Sequence, residues 1–337
     1  MLRPKLSLVR LCEMTAGQTG DFFVLLAERT KGMTRDGKPY YTCKFRDARR
    51  TATVMVWLDG GRFQDCDEQW RAGQFFKIRG LYQESDRYGP QIEIQQIRPV
   101  RDDDHESGFD PADLVDRSRF DGAAMLGNLR TLVTEQIHDE PLRRLVLTIV
   151  ERHAEALKRL PATRDKFYPF AGGLLEHTLR VAGIALHLVE IYAAHYIELK
   201  PPLNRDLVLA GAILHDFGRI LELDNEPMDP QPTVPGRLLG HLVLGRDLVR
   251  DTARELGDVN PELVQLLEHL ILTHLELPAW GSPRLPLVPE VLIVHHADDL
   301  DAKMEMYARC LSRDSEPGPF TARDPTLGKQ LLKGRTL

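Results

Sequence analysis

The sequence predicts a small all-β barrel followed by an all-α helical bundle. Three observations carry that expectation. Hydrophobic alternation with period two runs through residue 100, and apolar spacing of three and four takes over from about residue 121. Between them lies "VRDDDHESGFDPADLVD", an acidic stretch without period, punctuated by Gly and Pro. At 337 residues, 42% hydrophobic and 28% charged, the chain has ordinary globular composition and room for two or three domains.

In chain order, "DFFVLLAERT", "PYYTCKFRDA", "TATVMVWL", "QFFKIRGLYQ" and "PQIEIQQI" read as five strands, with "TRDGKPY" and "SDRYGP" as turns. Ile92 and Ile94 alternate with Gln91, Glu93 and Gln95, and Val54 and Val56 set the same period in the third strand. A polar insert, "GGRFQDCDEQWRAG", separates the third strand from the fourth. Five strands with a small insert after the third is the order of an OB-fold barrel. About seven helices follow: "MLGNLRTLVTEQI", "PLRRLVLTIVERHAEAL", "GGLLEHTLRVAGIALHLVEIY", "DLVLAGAILHDFG", "RLLGHLVLGRDLVRDTAREL", "ELVQLLEHLILTHLEL" and "VPEVLIVHHADDLDAKMEMYARCL". Pro-rich connections fall at 227–235 and 278–289. The expected organisation is a barrel at 1–100, an acidic linker at 101–120, a helical domain at 121–315 and a tail at 316–337.

The net charge of −6 is unevenly spread. Residues 1–100 carry 17 Lys+Arg against 12 Asp+Glu, and the remainder 27 against 38. A basic first third joined to an acidic remainder suits a polyanion-binding module attached to something else. In an OB barrel such binding combines backbone-tracking cations with aromatics that stack on bases. Lys31, Arg35, Lys38, Lys44, Arg46 and Lys77 interleave with Tyr40, Tyr41, Phe45, Trp57 and Phe76, but alternation turns only about half outward. Lys31, Lys38, Tyr40, Lys44 and Trp57 are the candidates for single-stranded RNA or DNA, while Phe22, Phe23 and Phe75 are assigned to the core. Cys12, Cys43, Cys66 and Cys310 show no CxxC spacing, and the N-terminal stretch shows no signal peptide. The longest uncharged apolar run near the centre, Leu207 to Leu214, is too short to span a bilayer. A cytoplasmic protein without a membrane partner is expected; self-association is left open.

"LVLAGAILHDFGRI" sets two polar side chains, His215 and Asp216, at the end of an apolar helix, where they are costly unless something binds them. His177 in "GGLLEHTLRV", His241 in "GRLLGHLVLG", His274 in "EHLILTH" and Asp298 in "IVHHADDLDAK" repeat the pattern on separate helices. At about 100° per residue, His269 and His274 point roughly 140° apart; His274 shares the stripe of Leu267 and Leu270. In the last helix Asp298 is preferred, with Asp301 and His295 as substitutes. Imidazole and carboxylate together suit Mn²⁺, Fe²⁺, Co²⁺ or Zn²⁺. Asp216 has two oxygens with which to bridge a pair of ions, an arrangement suited to phosphoryl displacement.

The H…HD…D set carried by His177, His215-Asp216 and Asp298 resembles the HD-domain metal-dependent phosphohydrolases. His241 and His274 resemble the dinuclear branch of that superfamily. More narrowly, "GGLLEHT", "NRDLVLAGAILHDFGR", "GRLLGH", "EHLILTH", "WGSPRLPLVPE", "DDLDAKM" and the N-terminal "TKGMTRDGKPYYTCKFRD" resemble the YhaM-type 3′→5′ exoribonucleases, over most of residues 15–310. The resemblance implies an OB-fold ahead of an HD domain, with Asp216, His177, His215, His241, His274 and Asp298 as ligands to one or two divalent ions. Manganese leads, with Co²⁺, Fe²⁺, Zn²⁺ or Mg²⁺ as alternatives. It further implies release of nucleoside 5′-monophosphates from the 3′ end of single-stranded RNA. By the same match Arg219 faces phosphate, with Lys303 and Arg284 as weaker phosphate contacts. The chain departs from the family where a second His and a Gly are replaced by Leu275 and Glu276, and where a Lys is replaced by Arg219. Two other readings stay open: a nucleotide phosphohydrolase with a regulatory OB domain, and a single-strand-binding protein with a decayed site.

Overall fold

The computed structural model describes residues 8–48, 50–85, 89–224, 230–314 and 316–334. The expected turn at "SDRYGP" and the connection at 227–235 fall partly outside them. The chain divides into two units, 1–117 and 118–337.

Unit 1 is a closed five-stranded barrel of β1 (Thr19–Met33), β2 (Pro39–Arg46), β3 (Thr51–Trp57), β4 (Phe75–Ser85) and β5 (Gly89–Pro99). Its neighbours run β1-β2-β3-β5-β4, with β3 and β5 parallel and every other pair antiparallel. Closure comes from β1, whose first half pairs with β4 and whose second half pairs with β2, the register shifting between Leu26 and Glu28. A bulge there bends one long strand around two neighbours. The polar insert forms α1 (Phe63–Glu68), which delivers Cys66 into the core beside Cys43, sulfur to sulfur 3.7 Å, both as thiols. Strand order and intervening helix are those of an OB-like barrel.

The stretch expected as a linker is partly built into this unit. Two 3-10 turns, Asp102–Ser107 and Pro111–Asp113, follow β5. Asp104 is buried and accepts two bonds from Arg98, at 2.6 Å each, one from Lys77 at 3.2 Å and one from the Arg101 backbone N–H at 2.9 Å. Phe109 lies 5.2 Å from both Phe23 and Phe75. A run of carboxylates reads as solvated until a neighbouring strand supplies cations, and here β4 and β5 supply them.

Unit 2 is helical: α2 (Gly122–Gln136), α3 (Glu140–Arg152), α4 (Ala154–Arg159), α5 (Gly173–His195), α6 (Arg205–Leu214), α7 (Arg219–Glu222), α8 (Val234–Leu256), α9 (Pro261–Thr273) and α10 (Pro289–Arg313). The seven expected helices are present, with the second broken at His153 into α3 and α4, and α7 added. Asp121, Asp139, Asn204, Thr233 and Asn260 cap α2, α3, α6, α8 and α9 through side-chain oxygens that accept backbone N–H groups. The buried α6, eight consecutive residues of which are shielded from solvent, runs through the core against α5, α9 and α10. The tail returns on itself, with a bridge between Phe320 and Leu332 and a buried Leu331. Among the described residues no helix is long and apolar enough to cross a membrane.

Candidate metal centre

Five helices of unit 2 end or turn so that their polar residues meet. His177 lies in the second turn of α5; His215 and Asp216 follow α6; His274 follows α9; Asp298 sits midway along α10. His241 depends on a break. Gly240 has φ +71°, a left-handed conformation inside α8 that redirects the helix one residue before His241. Glu222 receives the restarted helix, accepting from the His241 backbone N–H at 3.3 Å and standing 3.5 Å from its Nδ1. The Gly of HDFG has an equally specific reason. A Cβ on Gly218 would stand 1.9 Å from the His241 carbonyl oxygen, so only glycine lets the turn after Asp216 press against α8.

His177 Nε2 lies 3.1 Å from Asp298 Oδ1, and His215 Nε2 lies 3.8 Å from the same oxygen. Asp216 Oδ1 has His241 Nε2 at 3.3 Å and His274 Nε2 at 3.9 Å, while its Oδ2 is 4.0 Å from His215 Nε2. Two overlapping donor groups result: His177, His215 and Asp298, and His215, Asp216 and His274. The opposite ring nitrogens are held. His215 Nδ1 donates to the Ala212 carbonyl and His274 Nδ1 to the Ile271 carbonyl, each at 2.8 Å, and His177 Nδ1 is 2.9 Å from Asp301 Oδ2. A carbonyl only accepts, so in His215 and His274 a proton sits on Nδ1 and Nε2 is the nitrogen aimed inward.

The fit to a cation is tested by what those inward atoms touch. His177, His215, His241 and His274 Nε2, with Asp216 and Asp298 Oδ1, are buried and form no hydrogen bond among the described residues. A buried polar atom left so costs roughly 1–3 kcal/mol, and six converge here. The charge states of Asp216, Asp298 and His274 suit a cation, whereas His177 must first give up a proton. Burial opposes ionisation of Asp216, but Arg219 and then His241 hold its carboxyl well below the usual range. Burial likewise opposes the Asp298 carboxylate, which His177 and His215 hold at about 2. Burial, reinforced by His215, pushes His274 down to about 3. Burial disfavours charge on His177 too, but Asp298 and Asp301 outweigh it and raise it to about 9. Anionic oxygens and imidazole nitrogens around one buried space fit a divalent transition ion.

Other expected residues are placed differently. Asp301 holds His177 rather than facing the donor cluster, and His295 turns its Nδ1 to the His274 carbonyl at 2.7 Å. His269 accepts from the Leu287 backbone N–H. Arg219 is engaged by Asp216 at 3.3 Å and Glu222 at 3.0 Å, yet it lines the adjoining cavity of about 920 Å³. Lys303 lines that cavity as well, 2.7 Å from Asp299, whereas Arg284 is exposed and is not part of the lining. Lys166, Arg237 and Trp280 line it and had drawn no notice in the sequence. Only Trp280 carried a signal, an aromatic in the otherwise Pro-rich "WGSPRLPLVPE".

On the barrel, register decides. Tyr40 pairs with Trp57 and lies over Gly32, giving an outer face with rings 5.2 Å apart and Trp57 exposed. Lys44 is on the same outer face. Lys31 is in register with Tyr41, on the other side of the sheet, where it pairs with Asp67 of α1. Tyr41, Phe45 and Phe76 are core. Four other expected cations are also matched: Lys38 by Asp59, Lys44 by Glu28, Arg46 by Asp116 and Lys77 by Asp104.

Fold and site together define a chain with an OB-like barrel and an HD domain: residues 174–303 match the HD domain family. HD domains are generally metal-dependent phosphohydrolases. Among solved structures, the chain is similar to the second OB-fold domain of replication protein A from Methanococcus maripaludis, seen by NMR. That similarity has 12% identity and a TM-score of 0.22, and covers 28% of this chain and 96% of the other. A crystal structure of a domain of the same protein gives 11%, 0.23, 28% and 97%. Entamoeba histolytica asparaginyl-tRNA synthetase bound to asparaginyl-adenylate gives 8% and 0.24, with 49% of this chain and 39% of that one covered.

Proposed function

We propose that this chain is a divalent-metal-dependent 3′→5′ exoribonuclease that trims single-stranded RNA to nucleoside 5′-monophosphates. The observation that carries the reading is the convergence of six hydrogen-bond-free donor atoms beside a cation-lined cavity, on a chain that also bears an OB-like barrel. His177, His215, His241, His274, Asp216 and Asp298 would hold one or two ions. When bound, such an ion supplies Lewis-acid polarisation of phosphoryl oxygens and acidifies water.

The chain's own residues do the rest. Asp301, Glu222 and the Ala212 and Ile271 carbonyls orient the four imidazoles so that each Nε2 faces the shared space. Arg219 fixes Asp216 and offers positive charge to the cavity, where Lys166, Arg237 and Lys303 join it in drawing in a phosphodiester. Tyr40 and Trp57 form the stacking face on which the barrel grips a strand without reading its sequence.

The test is a 5′-labelled single-stranded RNA incubated with the full chain and manganese. A ladder shortening from the 3′ end, lost with EDTA and in Asp216→Asn, is expected. Cleavage of free nucleotides alone, or tight binding without cleavage, would replace this reading.

A further inference from the structure

We infer that Trp280, seated on His295, is the platform on which the substrate's terminal nucleobase stacks. The inference rests on the phosphodiesterase reading above and names the part of the substrate that the cavity holds. One part of the cavity lining carries Asp216, His241 and Asp298; Leu275, Ala279, Trp280 and His295 also line it. Trp280 is 55% exposed. An aromatic surface of that size, left open beside a buried charged cluster, is suited to a flat apolar ligand.

Its position is fixed in three ways. The ring lies nearly parallel to His295, 18° between planes and 6.1 Å between centroids. His295 in turn is pinned, donating from Nδ1 to the His274 carbonyl at 2.7 Å with Nε2 standing 3.1 Å from Glu276. Glu276 has φ +65°, so the chain reverses sharply after α9 and returns as the 3-10 turn Pro278–Trp280. The platform is therefore registered to His274, one of the six donors, through a single hydrogen bond and a short turn. Leu275, which occupies the place of the family's second His, adds apolar surface to the same cavity. Lys166, Arg237 and Lys303 supply the charge that phosphates need. A base on Trp280 and its phosphate beside Asp216 and Asp298 would account for an aromatic wall and an anionic donor set in one cavity. Every base presents a π-face, so the site should tolerate all four bases while requiring an unstacked end.

The experiment is calorimetric titration of the full chain, in manganese, with adenosine 5′-monophosphate and with ribose 5-phosphate. Wild type should bind the nucleotide about tenfold more tightly than the sugar phosphate. Trp280→Ala should erase that difference by weakening the nucleotide alone, and Trp280→Phe should restore most of it. Unchanged ribose 5-phosphate binding reports an intact fold. Equal or undetectable affinity of wild type for the two ligands overturns the inference, as does a Trp280→Ala loss shared equally by both. Release of inorganic phosphate during the titration would instead remove the strand-trimming reading and leave the stacking standing.

Discussion

Asp301 shows how much a single side chain decides at this centre. Its carboxylate stands 2.9 Å from His177 Nδ1 and is 3% exposed, so it orients the ring and increases the basicity of the nitrogen that faces Asp298. Outer carboxylates of this kind typically change metal affinity by about 10–100-fold. Asp301→Asn should weaken manganese binding by that factor in competition with a chromogenic chelator, while thermal unfolding of the metal-free protein shifts little. The donors were legible in the sequence because an imidazole or carboxylate inside a Leu-rich helix is conspicuous. Their supports were not. Two of the four Nδ1 partners are backbone carbonyls, which no residue type announces; Glu222 carried no motif, and Asp301 was read as a substitute ligand because it shares a helix face with Asp298.

At the level of the element, helices and strands followed their hydrophobic periods, and the surprises lie where charge or glycine takes over. The sequence assigns Gly240 and Gly218 no role of their own; one redirects α8 toward the donors and the other lets a turn touch its backbone. The 3-10 turn at Asp102–Ser107 was hidden for a different reason, since its buried anchor is a carboxylate. Arg98, and after it the Arg101 N–H and Lys77, hold the Asp104 carboxyl far below its ordinary range against the opposing effect of burial. A depressed carboxyl contributes stability above its unfolded pKa of about 3.9 and loses it as pH falls toward the folded value. Denaturant unfolding of the barrel should therefore lose about 2 kcal/mol more in wild type than in Asp104→Asn between about pH 5 and pH 2. At pH 7 the variant should be the less stable by a similar amount. Parallel pH profiles would remove Asp104 from the account.

For the whole molecule, the proposed division of labour between grip and chemistry is tested by substrate length. Tyr40→Ala combined with Trp57→Ala removes the proposed stacking face, which would be worth roughly 1–3 kcal/mol per base. KM for a long single strand should rise by about tenfold or more, with kcat and the hydrolysis of a dinucleotide nearly unchanged. Because Lys31, Lys38 and Lys44 each face a carboxylate, the salt dependence of binding should be shallow for a nucleic-acid-binding surface. The asymmetry of charge along the chain was a poor guide to the barrel, because the acidic residues after position 100 belong to the same unit and several of its cations are paired.

The six donors are drawn from α5, α6, α8, α9 and α10, with only His215 and Asp216 adjacent. During synthesis no complete ring of ligands exists until the ribosome has released the middle of α10. A chain stopped short of Asp298 would carry the imidazoles of the earlier helices without the carboxylate beside His177. Of the two donor groups, His215, Asp216 and His274 are all translated before α10, whereas His177 and His215 wait for Asp298, so α10 is the clasp of one half of the proposed centre.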